Sequence, residues 1–156
     1  MGVQRRKRKL REVLTSPFQI LTNNPLVAEN YSERFPVEFF ADGSDRDVLL
    51  RARDLVHNGH RILTAPLSGS VKPWETPYRS IMVTSAHDDA VDAFSLDIME
   101  RALAIISHSK RGPETIAESI LHDFQIIDLS LIDSALPSAE AIGVYRIPGK
   151  ETEVKR

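Results

Sequence analysis

Within TAPLSGSVKPWETPYRS, residues 64–80, one short run gathers side chains suited to holding an anion. Thr64, Ser68 and Ser70 offer hydroxyls, Gly69 leaves nearby backbone N–H groups accessible, and Lys72 adds a point charge. Such a set suits a carboxylate or a phosphate better than a cation or an apolar ligand. Pro66, Pro73 and Pro77 stiffen the run and lower the entropy cost of holding it in one shape. Trp74 and Tyr78 are placed to cover a bound group. Glu75 is the one carboxylate in the run and the candidate general base if chemistry occurs there. The competing reading is a polar loop that crosses a sheet edge, with Trp74 filling an apolar gap.

The other chemistry-bearing residues have plainer readings. His57 and His60 bracket Asn58-Gly59 at a helix end, where the dipole favours a histidine over a metal site. His87-Asp88-Asp89 precedes a helix, whose positive end suits the two acids. No Gly-x-Gly-x-x-Gly, Walker loop, Gly-x-Ser-x-Gly or His-Glu-x-x-His occurs, so a dinucleotide or a nucleoside triphosphate is not supported. The chain has no cysteine, which excludes disulfides, thiolate nucleophiles, cysteine-ligated zinc and iron–sulfur clusters. No metal and no cofactor is expected, and any part in redox metabolism is indirect.

The 156 residues, 42% hydrophobic and 27% charged, suit one globular domain with a core of its own. No apolar run approaches the roughly 18 residues of a membrane span. The basic start has no apolar segment behind it, and Arg6 stands where myristoylation wants Ser or Thr. A cytoplasmic protein without membrane contact is the expectation. The net charge of -2 hides an asymmetry. Residues 1–16 carry six basic side chains against Glu12, net +5, while the remaining 14 Lys and Arg face 21 Asp and Glu, net -7. A flexible, solvated basic arm on an acidic body follows, and the body's charge disfavours nucleic acid.

These groups need elements to position them. FQIL (18–21), VEFF (37–40), RILT (61–64) and SIMVTS (80–85) read as strands. Asn24 caps a short helix that has Pro25 at its first position and runs to about Arg34. Ser44 caps a stronger helix over 45–58, with Gly59 as its left-handed end. Two further helices are predicted over 89–110 and from Glu114 to Leu136, the second ended by Pro137, with an edge strand at 144–147. The result is a single α/β domain over 17–147, followed by a charged tail over 148–156. A small, mainly parallel sheet of four strands in the order 2-1-3-4 precedes a helical C-terminal half. In such a sheet ligands lie beyond the strands' carboxyl ends, where the strand order reverses. Asn23, Asn24, Thr64, Ser68, Gly69, Ser70, Lys72 and Trp74 then line one crevice at the ends of strands 1 and 3.

ILTNNPLVAENY (20–31) and DVLLRARDLVHNGHRILTAPLSGSVKPWETPYRSI (47–81) resemble the GrdX family, over roughly residues 18–135. The basic arm lies outside the resemblance. It implies the setting of the glycine, sarcosine and betaine reductase systems of anaerobic bacteria, which make acetyl phosphate through selenoprotein and thiol chemistry. It supplies no catalytic residues. A chain without cysteine is then not an electron carrier of that system but an accessory or regulatory protein that binds a small anionic metabolite. The alternatives are a small enzyme acting on such a metabolite, with Lys72 and Glu75 in the chemistry, and an interaction module docking on a reductase subunit.

Overall fold

The computed structural model describes residues 2–14, 16–67, 72–108 and 116–145. Its elements are α1 (Gly2–Leu14), β1 (Phe18–Thr22), α2 (Pro25–Tyr31), β2 (Val37–Phe39), α3 (Asp45–His57), β3 (Ser80–Thr84), α4 (Ala93–His108) and α5 (Glu118–Tyr145).

β1 is apolar on both faces because both are covered. Its side chains alternate, so Phe18 and Ile20 pack with Val27, Tyr31, Met82, Ile132 and Ala139 on the α2/α5 side. Leu21 points the other way, into a cluster with Val48, Leu49, Val56, Ile81, Val83 and Met99 from α3, α4 and β3. Three layers result: α2 with α5, the sheet, and α3 with α4. β1 pairs parallel to β2, with α2 as the crossover.

The sheet differs from the predicted one. It has three strands in the order β2-β1-β3, and β3, the predicted fourth strand, runs antiparallel to β1 with Ile20 opposite Met82. The predicted third strand, Arg61–Thr64, is reduced to a single antiparallel bridge between Ile62 and Val83 on the outer side of β3. Burial explains the exchange of places. All five residues of β3 are buried, whereas residues 61–64 are only half-buried, so the more apolar segment takes the inner position. Side chains also interrupt the outer ladder. Ile62 N donates to Ser95 Oγ at 3.1 Å, and Met82 N donates to Thr64 Oγ1 at 3.0 Å.

The helices follow their caps. Ser44 and Asp47 form a reciprocal capping box on α3, and Gly59 after it adopts φ 97°. α2 stops at Tyr31, earlier than the predicted Arg34, and the chain turns off there with Arg34 N and Phe35 N both donating to the Tyr31 carbonyl. α4 begins at Ala93 rather than Asp89, since Asp92 Oδ2 caps it by accepting from Ser95 N at 3.1 Å. α5 passes through Pro137 to Tyr145, so the predicted stop and an edge strand beginning at Val144 are both corrected. Proline costs that helix the bond to the Asp133 carbonyl, but Ile132 and Ala139, buried on either side of it, anchor both halves to the core. The basic arm forms α1, exposed from Gly2 to Arg8. The charged tail, 148–156, and residues 146–147 of the predicted edge strand lie outside the described residues. Among the described residues no helix is long and apolar enough to cross a membrane.

Candidate functional site

Because β3 runs against β1, the carboxyl end of β1 meets the amino end of β3. Thr22 and Ser80 face each other there on the α2/α5 side, their hydroxyl oxygens 2.6 Å apart. Ser80 Oγ donates to Asp128 Oδ2 on α5 at 2.6 Å, which uses its only proton. With Asp128 ionised, Thr22 is the donor to Ser80, and Thr22 Oγ1 accepts from Asn24 N at 2.9 Å. Asn24 closes the ring, its Nδ2 donating to Asp128 Oδ2 at 2.9 Å and also to the Gln125 carbonyl. With Asp128 ionised, the protons of this buried network run from Asn24 N to Thr22, from Thr22 to Ser80 and from Ser80 to Asp128.

Asp128 is only 8% exposed. Burial pushes its carboxyl above the usual carboxylate range, against the pull of the bonds from Ser80 and Asn24 and of the Arg79 charge. The side-chain donors of Ser80 and Asn24 both go to Oδ2, and the Ser80 backbone also hydrogen-bonds this carboxyl. Asp128 lines a cavity of about 360 Å³ together with Leu63, Thr64, Arg79, Ser80 and Ile132. Pro66, Leu131, Ser134 and Ser138 complete much of its wall. This volume lies at the lower end of the range for small-molecule sites, about 300–1,000 Å³.

Arg79 also lines the cavity and is 6% exposed. Asn23 positions it, Oδ1 accepting from Arg79 N at 2.8 Å while Asn23 N donates to the Arg79 carbonyl. Asn23 Nδ2 also ties in the carbonyls of Pro77 and Gly43. The Arg79 guanidinium reaches the Pro73 carbonyl at 3.2 Å and buried Asp45, at the start of α3, at 3.8 Å.

The residues singled out in the sequence divide into two groups. Thr64 lines the cavity, and Asn23 and Asn24 hold Arg79 and Asp128 in place from behind. Asn24 Oδ1 occupies the Leu26 N–H, so the seven-residue α2 presents a capped end. Lys72, Trp74 and Glu75 instead form an exposed turn that does not line the cavity. There Glu75 Oε2 accepts from Lys72 N at 3.4 Å, and Lys72 Nζ sits 5.8 Å from the Trp74 ring centroid. Ser68, Gly69 and Ser70 lie outside the described residues. His57 sits in the last turn of α3, and His60 Nδ1 lies 2.7 Å from the Thr84 carbonyl. Among the described residues no group of three His, Asp or Glu could hold a metal ion.

Sequence reasoning missed Arg79, Ser80 and Asp128. A signal for Asp128 was present: it stands four residues before buried Ile132, so it shares that inward face of α5. Arg79-Ser80, at the mouth of an apolar strand, could be recognised only once the strand direction was known.

No curated protein and no solved structure matches the chain. A family model described as GrdX-like protein matches residues 19–137, from β1 through most of α5, and so takes in Asn23, Asn24, Arg79, Ser80 and Asp128 while leaving α1 outside. Spanning most of the chain and all of the polar network, that match makes the protein a member of the GrdX-like family.

Proposed function

We propose that the chain is a non-redox accessory or regulatory protein of the glycine, sarcosine and betaine reductase system. It binds a small metabolite bearing a carboxylate or phosphate in the cavity beside the carboxyl end of β1. The observation that carries this reading is a small-molecule-sized cavity lined by buried Arg79 and by the hydroxyl-bearing Thr64, Ser80, Ser134 and Ser138. The planar donor fork of an arginine suits a carboxylate or phosphate oxygen pair. Thr64, Ser134 and Ser138 add hydroxyls around it. The family match supports the setting, and the lack of cysteine supports a role outside electron transfer.

Thermal unfolding with acetate, glycine, sarcosine, betaine, acetyl phosphate and inorganic phosphate tests this reading. A ligand at 100 times its Kd adds about 2.7 kcal/mol, a rise of roughly 4–8 °C for a domain near this size. Ser138→Leu, an exposed helix position at the cavity wall, removes the rise without removing the fold. No rise with any of the six rejects the reading. A second reading, docking on a reductase subunit, is favoured by Trp74, 38% exposed beside Pro73. Loss of subunit capture on Trp74→Ala, with cavity binding intact, would select it.

A further inference from the structure

We propose that the outer flank of α4 is the contact face of a homodimer, in which α4 of one copy packs antiparallel on α4 of the other. The inference is independent of the cavity and uses residues that take no part in it. Ser95, Met99, Ala102, Leu103 and Ile106 turn into the core, while Glu100 and Ser107 meet Arg53 and Arg46 of α3. On the flank away from α3 lie Phe94, Ile98, Arg101 and Ile105, at intervals of four, three and four residues. Phe94 is 72% exposed and Ile105 46%, Ile98 is half-buried, and exposed Val91, just before the helix, continues the spacing. Single apolar side chains at a surface need no account, but a row at heptad intervals is the pattern of a helix–helix seam.

The seam itself points to what covers it. Its spacing reads the same in either direction, so a reversed copy of α4 presents matching positions. Phe94 then packs on the partner's Ile105, and Ile98 packs on the methylenes of the partner's Arg101, once on each side of the two-fold axis. The Arg101 guanidinium comes beside the partner's Asp97, the residue next to Ile98. Within one chain Arg101 Nε already lies 3.0 Å from Asp97 Oδ2, with both side chains well exposed, so the two ion pairs are shared across the axis without burying a charge. A parallel copy would set Arg101 against the partner's Arg101, which disfavours that arrangement.

The helix has 16 residues and is roughly 24 Å long. So short a seam buries less than the roughly 800 Å² per partner of a standard interface, which makes the dimer weak and concentration-dependent.

Sedimentation equilibrium of the full chain from about 5 µM to about 1 mM tests the inference. A monomer–dimer equilibrium is expected. Phe94→Ser should weaken it at least about tenfold while keeping the thermal midpoint measured at low concentration. Because the chain has no cysteine, single cysteines report the register. Phe94→Cys mixed with Ile105→Cys should form a disulfide-linked dimer under mild oxidation, far faster than either variant alone at the same total concentration. In the antiparallel pair like positions lie about 16 Å apart along the axis, whereas a disulfide needs Cα atoms within about 7 Å. A monomer at every concentration overturns the proposal, as does a dimer that Phe94→Ser leaves intact. Faster linking of Phe94→Cys to itself overturns the antiparallel register. Equally slow linking in all three samples, the mark of random collision, overturns the α4 face.

Discussion

Asn24 and Asp128 lie 104 residues apart in sequence, yet Asn24 Nδ2 is 2.9 Å from Asp128 Oδ2 inside the protein. The same asparagine caps α2 through its Oδ1, so one side chain starts a helix and docks the C-terminal helix on the sheet. An amide is required for this, since it must accept at one atom and donate at the other.

Replacing Asn24 by Ala removes the cap and a donor to a buried carboxylate together. A loss of about 2–3 kcal/mol in urea unfolding is expected. Asn24→Asp keeps a capping oxygen but sets two carboxylates side by side, so its loss should grow as pH rises. A change in either variant no larger than that of an exposed α4 substitution would show the contact to be idle.

The pH dependence of Asp128 has a definite sign. Its carboxyl is raised, so between the ordinary carboxylate pKa and the higher folded value the native chain holds a proton that the unfolded chain releases. Stability therefore falls as pH rises through that window and stays lower above it. Asp128→Asn, which can still accept from Ser80 and Asn24, removes this contribution. Its thermal midpoint should vary less from acidic to neutral pH than that of the wild type. Parallel profiles would place the titration elsewhere.

Tyr31 gives a second window at the alkaline end. Burial first, and then its hydrogen bond to Asp133, pushes the phenol from the usual 10 up to about 12. Unfolding releases that proton above pH 10, so stability drops as pH climbs from about 10 to about 12. Tyr31→Phe loses the hydrogen bond, costing about 1 kcal/mol at neutral pH, and flattens the alkaline decline. Denaturant midpoints at a series of alkaline pH values measure both effects, and an unchanged decline in the variant would refute the assignment.

Gly59 adopts φ 97°, and a Cβ there would lie 2.0 Å from the Asp88 carbonyl oxygen. Asp88 N in turn donates to the Gly59 carbonyl at 2.9 Å, so the end of α3 is clamped on the loop before α4. Gly59→Ala should cost on the order of 2 kcal/mol or more, from backbone strain and a forced loop shift. Calorimetry showing a neutral effect would mean that this clamp gives way easily.

Lys72 provides the contrast within the binding proposal. It is exposed and packs on Trp74 rather than on the cavity. Lys72→Ala should leave Kd for any cavity ligand within about twofold, well under the tenfold that 1.4 kcal/mol represents. A tenfold loss would move the anion site to the Lys72 turn.

Local chemistry in the sequence was enough for much of the fold. The Asn24 and Ser44 caps, Pro25, the left-handed Gly59 and the apolar runs of β1, β2 and β3 are each determined by a few adjacent residues. The order and direction of the strands were not. Placing SIMVT inside and RILT at the edge is a competition for burial between two segments, and neither one reveals its outcome alone. Pro137 shows the same limit: its local rule ends a helix, and packing of Ile132 and Ala139 against β1 and β3 overrides it. The site followed the strands. Asn23, Asn24 and Thr64 were legible because strand ends and turn residues mark themselves. Ser80, Asn24 and Asp128 became partners only when an antiparallel β3 carried the amino end of that strand to the carboxyl end of β1, under a helix from the far end of the chain.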